Sequence, residues 1–405
     1  MKAGWRTAPL AAVCQIKPPK AEARGLISAN DLVSFVPMEV LGIDQKVLVP
    51  TQTRPLSEVA GSYTYFADGD VLLAKITPCF ENGKLGIAAN LVNGIGFGSS
   101  EYMVFRPDPS VDKEWLYYFL SQESFRMEGT ERMTGAVGHK RVAKDFIEAY
   151  PIPIPPLPEQ RRIVTLLDEA FDGIATAKAN AEKNLQNARA IFESRLQAVF
   201  RQRGEEWKET KEPLSSLCEL IVDCEHKTAP TQEEGIPSIR TPNIGKGNLL
   251  LEGVYRVSEA TYTEWTRRAE PRAGDLIFAR EAPAGNVGVV PPNLRVCLGQ
   301  RTVLIRPSRS VFVPEFLALL LLCPSMQKTL LGHSRGATVQ HVNMKDIRAL
   351  NVGAIPSISL QAEIVENFGA VTEETQRLES IYQRKLSALD ELKKSLLAQA
   401  FSGVL

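Results

Sequence analysis

Apolar residues recur at steps of four and three along the middle of the chain, at Ile163, Leu167, Ala170, Ile174, Ala177, Ala181, Leu185, Ala188, Phe192, Leu196 and Val199. That spacing predicts one face of a helix, on the order of 60 Å long at about 1.5 Å per residue. The stretch that leads into it, PIPIPPLPEQRRIVTLLDEAF from Pro151, opens on prolines. They fix φ and donate no amide, so this lead-in reads as extended. Pro158 suits the first helical turn, and Glu159 sets negative charge at the positive end of the helix dipole. No proline or strong break follows until Gly204. A helix of this length cannot bury its stripe against itself and needs a partner.

An internal repeat supplies the partner. GAVGHKRVAKDF from Gly135 aligns with GATVQHVNMKDI from Gly336, 201 positions later. The same offset, carried without a gap, pairs Asp145 with Asp346, Pro155 with Pro356, Gln160 with Gln361, Ile163 with Ile364 and Phe200 with Phe401. The stripe recurs as Ile364, Phe368, Val371, Thr375, Leu378, Tyr382, Leu386, Leu389 and Leu397. Ala177, Ala181 and Ala188 of the first helix correspond to Leu378, Tyr382 and Leu389 of the second, so a small surface is offered to a large one. Pseudo-two-fold related halves would pack these helices antiparallel. The competing arrangement lays each helix on its own domain.

Outside the helices, short apolar runs bounded by turn residues predict strands. VLLAKI follows Asp68-Gly69-Asp70, and YMVF follows the Gly94–Glu101 stretch; EWLYYFLSQESFRM, from Glu114 to Met127, has the spacing of one helix. The second half answers in order: Trp207 for Trp5, Cys218 for Cys14, AGDLIFAR for DGDVLLAK, CLGQRTVLIRP for GFGSSEYMVFRP, and VPEFLALLLLCPSM for the helix at Glu114. The expected fold is α+β, with two duplicated globular domains at 1–155 and 204–355. Long antiparallel helices at 156–203 and 356–405 join them.

Composition narrows the function classes. A chain of 405 residues suggests about two to four domains, and 44% hydrophobic with 23% charged residues is ordinary for a globular protein. No apolar run reaches the roughly 18 to 20 residues of a membrane span, and MKAGWRTAPL lacks the apolar core of a signal peptide. The six cysteines have no paired spacing, which fits free thiols in a cytoplasmic protein. A net charge of zero argues against indiscriminate coating of nucleic acid but leaves room for a local reader.

Catalytic constellations are missing from the sequence. GIGFG at Gly94–Gly98 runs into a strand, and its counterpart VCLGQ has lost the glycine spacing. Cys218, Cys224 and His226 do not have zinc-ligand spacing. What remains is recognition. Basic and hydrogen-bonding residues cluster at Lys75, Thr77, Thr134, His139, Lys140, Arg141 and Lys144 in the first half. In the second they are the pair Arg280-Glu281, then Gln300, Arg301, Arg335, Thr338, Gln340, His341 and Asn343. These side-chain types read base edges and grip phosphates. Each alone reads equally as a solvated loop residue, but as a set in both halves they point to DNA.

The order globule, IPIPPLPEQRRIV helix, globule, related helix resembles the DNA-specificity subunit of type I restriction–modification systems, over essentially the whole chain. AGDLIFAR followed by GNVGVV also resembles that family's domain core. The second copy departs from the pattern: IPSISLQAEIV keeps Pro356, Gln361, Ile364 and Val365 but lacks Pro-Leu-Pro-Glu-Gln. The resemblance implies a non-catalytic subunit whose two target-recognition domains each read one half of a split, asymmetric site in double-stranded DNA. Its helices would fix the gap. Two modification subunits using S-adenosylmethionine would methylate adenine at N6, and restriction subunits using ATP and Mg²⁺ would join that core. This subunit would need no cofactor or metal of its own. A fused restriction–methylation enzyme is opposed by the missing motifs. A coiled-coil scaffold that binds only protein predicts no salt-sensitive DNA affinity.

Overall fold

A computed structural model describes residues 4–136, 138–225, 227–332 and 340–405. Two helices dominate it, Leu157–Arg201 and Ile358–Ser402, each of 45 residues. The chain divides into two compact units, Met1–Ala181 with Arg384–Leu405, and Glu182–Gln383. Each unit therefore holds one globule, part of the first long helix and part of the second.

The stripe is buried along the first long helix: Ile163, Leu167, Ile174, Ala181, Leu185, Ala188, Phe192, Leu196 and Phe200 are each less than one-tenth exposed. Inside the first unit its early turns meet the end of the second long helix. Ile163, Val164 and Leu167 share a core with Leu397 and Ala400, and Lys178 pairs with Asp390 at 2.7 Å. Inside the second unit the later turns meet the start of the second long helix. Phe192 lies edge-on to Phe368 at 5.4 Å between centroids, and Arg189 reaches Glu379 at 3.3 Å. Rising positions on one helix meet falling positions on the other, so in each unit the helical segments run antiparallel. The larger residues of the second stripe, Leu378, Tyr382, Leu386 and Leu389, stay half-buried.

The globule of the first unit is built on a five-stranded sheet in the order Cys14–Ile16, Tyr102–Pro107, Val71–Ala74, Leu85–Ala88, Val47–Leu48. The second unit repeats that order with Cys218–Asp223, Thr302–Pro307, Leu276–Ala279, Val287–Val289 and Lys246–Gly247. In both, the last strand is parallel to its neighbour and the other pairs are antiparallel. Beside it the first unit carries a four-stranded sheet and the second a three-stranded one. GIGFG lies in the former, with Ile95–Gly98 as a strand. A Cβ on Gly96 would fall 2.1 Å from Phe66, so packing explains this glycine.

The proline lead-in is a strand: Pro151–Ile154 pairs antiparallel with Arg6–Pro9, and Ala354–Ile355 with Lys208–Glu209. Gln160 and Gln361 then lock helix to globule in identical fashion. Both are fully buried. Gln160 accepts from the Asp112 amide and donates to the carbonyls of Ser110 and Pro155. Gln361 does the same with Val313, Val311 and Pro356.

Two sequence expectations change. The gap-free offset of 201 fails between positions 142 and 150. Buried Ile147 and Ile347 occupy the same place in their short helices, Lys144–Ala149 and Met344–Arg348. The Tyr150 and Leu350 carbonyls accept from the amides of Leu10 and Leu214. These pairs are 200 apart, so Asp145 corresponds to Lys345; the extra residue of the second copy enters near Gly353, whose φ of +75° glycine tolerates without strain. The Glu114–Met127 helix is in fact two, Lys113–Leu120 and Glu123–Glu131, broken where Gln122 turns extended. Its counterpart breaks at Cys323, because Pro324 disfavours helical backbone in the residue before it.

Candidate nucleic-acid interface

The candidate recognition residues of the first unit, distant in sequence, assemble just beyond the strand Val71–Ala74. The Lys75 amide donates to the Glu101 carbonyl (3.0 Å), and the Val142 amide donates to the Lys75 carbonyl (3.0 Å). The Thr77 amide donates to Lys140 (2.9 Å), while Thr134 and Arg141 exchange both backbone hydrogen bonds (3.0 and 2.8 Å). Three loop segments thus form one backbone-stitched surface carrying Lys75, Thr77, Thr134, His139, Lys140 and Arg141.

Its side chains divide by exposure. The Thr77 hydroxyl is turned inward to Glu81 at 2.8 Å. Lys75 donates to the Ser100 carbonyl (3.1 Å); burial lowers its pKa from the ordinary lysine value, with Glu101 opposing. His139 and Lys140 are exposed. Arg141, 47% exposed, is gripped in bidentate fashion by Glu101, Nε to Oε2 at 2.9 Å and Nη2 to Oε1 at 2.8 Å. That hydrogen-bonded fork lowers the Glu101 pKa. Lys144 stands apart on the following short helix, paired with Glu148 at 3.0 Å.

The second unit builds the same frame. The Arg280 amide donates to the Arg301 carbonyl (2.9 Å), and the Val342 amide to the Arg280 carbonyl (2.9 Å). Arg280 therefore occupies the place of Lys75, as the repeat predicts. Arg301 occupies that of Glu101. His341 occupies that of Arg141.

Within this frame Arg280 serves structure rather than display. Its side chain is only 11% exposed and pairs with Asp223 at 2.7 Å. It also donates to the Val342 carbonyl and to His341 Nε2. Because Nε2 accepts from a guanidinium, Nδ1 carries the imidazole proton and donates it to Glu281 at 2.8 Å. Glu281 also holds Arg301, at 2.5 Å. Arg301 is 63% exposed and adopts a φ of +64°, uncommon for a residue with a long side chain. Gln300 is half-buried beside it and Gln340 is exposed beside His341. Asn343 precedes the short helix and donates to Asp346 (3.2 Å). Arg335, Thr338 and His226 lie outside the described residues.

Sequence reasoning took in Glu281 only as the neighbour of Arg280 and passed over the acidic partners Glu101 and Asp223. The signal was present: aligning GFGSSEYMVFRP with CLGQRTVLIRP on their final prolines sets Glu101 opposite Arg301, a charge reversal at one loop position. Among the described residues no group of three or more His, Cys, Asp or Glu side chains could hold a metal ion.

The family model for the type I restriction modification DNA specificity domain matches residues 5–186 and again 205–385. The chain belongs to that family. Among curated members of this specificity family, it is 37% identical over 165 residues to the EcoAI specificity subunit and 39% over 162 to the EcoEI specificity subunit, both of Escherichia coli. Each match covers 40% of this chain and 27% of the relative, so the chain spans about a quarter of their length. The EcoBI specificity subunit of the same organism is 25% identical over 297 residues, covering 67% of this chain and 62% of the relative. The fold is likewise shared. A chain from a structure of type I R-M complex assembly and conformational transition superposes with a TM-score of 0.72 at 18% identity, covering 99% of this chain and 98% of its own. The HsdS subunit from Thermoanaerobacter tengcongensis gives 0.55 at 18% identity, covering 100% and 98%.

Proposed function

We propose that this chain is the non-catalytic specificity subunit that directs modification and restriction subunits to a bipartite, asymmetric site in double-stranded DNA. One observation carries the reading: both units erect the same backbone-stitched loop frame, yet dress it with different charges. A frame kept while its side chains diverge fits two heads that read different half-sites. Phosphate contacts from Lys140 and the other exposed cations, with hydrogen bonds from His139, fix position, and side chains held rigidly by neighbours read bases. Thr77, Thr134, Gln300 and Gln340 border the same frames; Lys144 and Asn343 flank them, and Arg335 and Thr338 belong to the same stretch of sequence in the second half.

The long helices set the gap between half-sites, which lie roughly one helical turn apart, or about 34 Å. Adenine-N6 methylation is performed by two modification subunits with S-adenosylmethionine. Translocation and cleavage fall to restriction subunits with ATP and Mg²⁺. The subunit itself requires no cofactor and works in the cytoplasm.

The test is genome-wide mapping of methylated adenine in a host carrying this protein with its cognate modification subunit. A split, asymmetric motif that appears with the protein and vanishes without it is the expected result. Unchanged methylation despite an assembled complex would overturn the reading in favour of a scaffold that binds only protein.

A further inference from the structure

Among the described residues the two frames present one exposed guanidinium each, but from different loops. In the first unit it is Arg141, on the loop leading to the short helix, held through Nε and Nη2 by Glu101 from the turn before Tyr102–Pro107, with Nη1 also donating to the His139 carbonyl at 3.0 Å. In the second the polarity is exchanged: Arg301 occupies the turn position, and Glu281 holds it at 2.5 Å. The position equivalent to Arg141 is taken by His341, which also binds Glu281. Glu281 stands where the first unit has Ile76, since Ile76 bridges to Arg141 as Glu281 bridges to His341.

A surface ion pair adds little to stability. What the pairing does supply is aim. A guanidinium held by a carboxylate on one edge keeps its remaining N–H donors in a fixed direction, and a planar fork of donors matches the O6 and N7 acceptors of guanine in the major groove. Arg301 adds a second sign. Its left-handed backbone conformation is one that a β-carbon disfavours, and strain of this kind persists where the surroundings impose it for use. The neighbouring cations lack this aim. Arg280 is buried in its own pairs, and Lys75 is spent on the Ser100 carbonyl.

Resting on the proposed DNA-reading role, we infer that Arg141 and Arg301 each read a G·C pair, one in each half of the split site, with Glu101 and Glu281 as their positioning residues. The two heads therefore approach guanine from opposite sides of the same loop frame. This is how one scaffold reads two unlike half-sites.

The experiment uses the full chain assembled with its modification subunits and compares wild type with Arg141→Ala, Arg141→Lys, Arg301→Ala and Arg301→Lys. Methylated-adenine mapping is combined with competition binding against duplexes substituted one base pair at a time. Wild type is expected to lose on the order of tenfold to a hundredfold in affinity when the relevant G·C pair is replaced. Each Arg141 variant should lose that discrimination at one position of one half-site, and each Arg301 variant at one position of the other half. Lysine should not restore it, because a point charge cannot make the bidentate contact. Glu101→Gln and Glu281→Gln should weaken discrimination at the same two positions. The inference is overturned if the variants keep every preference, if binding falls equally on all duplexes as for a phosphate contact, or if both arginines affect the same half. A wild-type complex with no split motif would instead refute the DNA-reading role itself.

Discussion

At the scale of single residues, the strongest structural commitments are the two buried glutamines. From a fully buried position Gln160 satisfies one amide and two carbonyls, so Gln160→Ala leaves those backbone groups without their partner. A loss of about 1–3 kcal/mol is expected, read as a lowered denaturation midpoint, and Gln361→Ala should match it because its partners are the same. Thiol chemistry gives a second residue-scale expectation. Burial pushes Cys14, Cys218 and Cys297 up to about 12, so at pH 8.5 they stay protonated in the folded state. Only the thiolate alkylates. Iodoacetamide should therefore leave those three unlabelled until the protein unfolds, as mass spectrometry of the native and denatured protein would show. The equivalence of Gln160 and Gln361 was legible from the repeat alone. The charge exchange between Glu101 and Arg301 was not singled out, because an exposed acid near a turn has no periodicity and its meaning depends on which distant loop it faces.

At the scale of elements, sequence pattern pointed to both long helices, since a stripe sustained over about ten turns of helix leaves no other periodicity to compete. Short elements were less legible. The break after Leu120 follows from two buried faces, Trp115–Leu120 and Phe125, that one straight helix could not both bury. The one-residue insertion near Gly353 escaped because Asp145 and Asp346 happen to align across it. The paired arginine–aspartate clamps beside the central sheets test how alike the units are. Arg106 holds Asp70 through two hydrogen bonds and Arg306 holds Asp275 likewise, with both carboxylates almost fully buried. Breaking such a pair from one side costs about 3–5 kcal/mol. Asp275→Asn should approach that figure in chemical denaturation. Asp70→Asn should cost less, because Arg106 keeps Glu22 at 2.6 Å whereas Arg306 keeps only a carbonyl, that of Glu270.

At the scale of the whole molecule, the long helices serve both units without belonging to either. The end of the first helix closes the second unit's core through Phe200, Trp207 and Phe316. The end of the second closes the first unit's core through Phe401, Trp115 and Trp5. The second globule thus depends on the helix end that directly precedes it and the first on a helix end from the far end of the sequence, so shortening must be done in both helices at once. Seven residues removed between Lys178 and Arg189, and seven between Glu379 and Asp390, leave the Lys178–Asp390 and Arg189–Glu379 pairs in their own units. A seven-residue step rotates the stripe by only about 20°, so both buried faces survive. It removes about 10 Å of helix, close to three base pairs of duplex at roughly 3.4 Å each. Under the proposed function, methylated-adenine mapping of this double deletion should return both half-sites unchanged with a gap about three base pairs shorter. Retention of the original gap by an assembled, active complex would mean that something other than helix length sets the spacing.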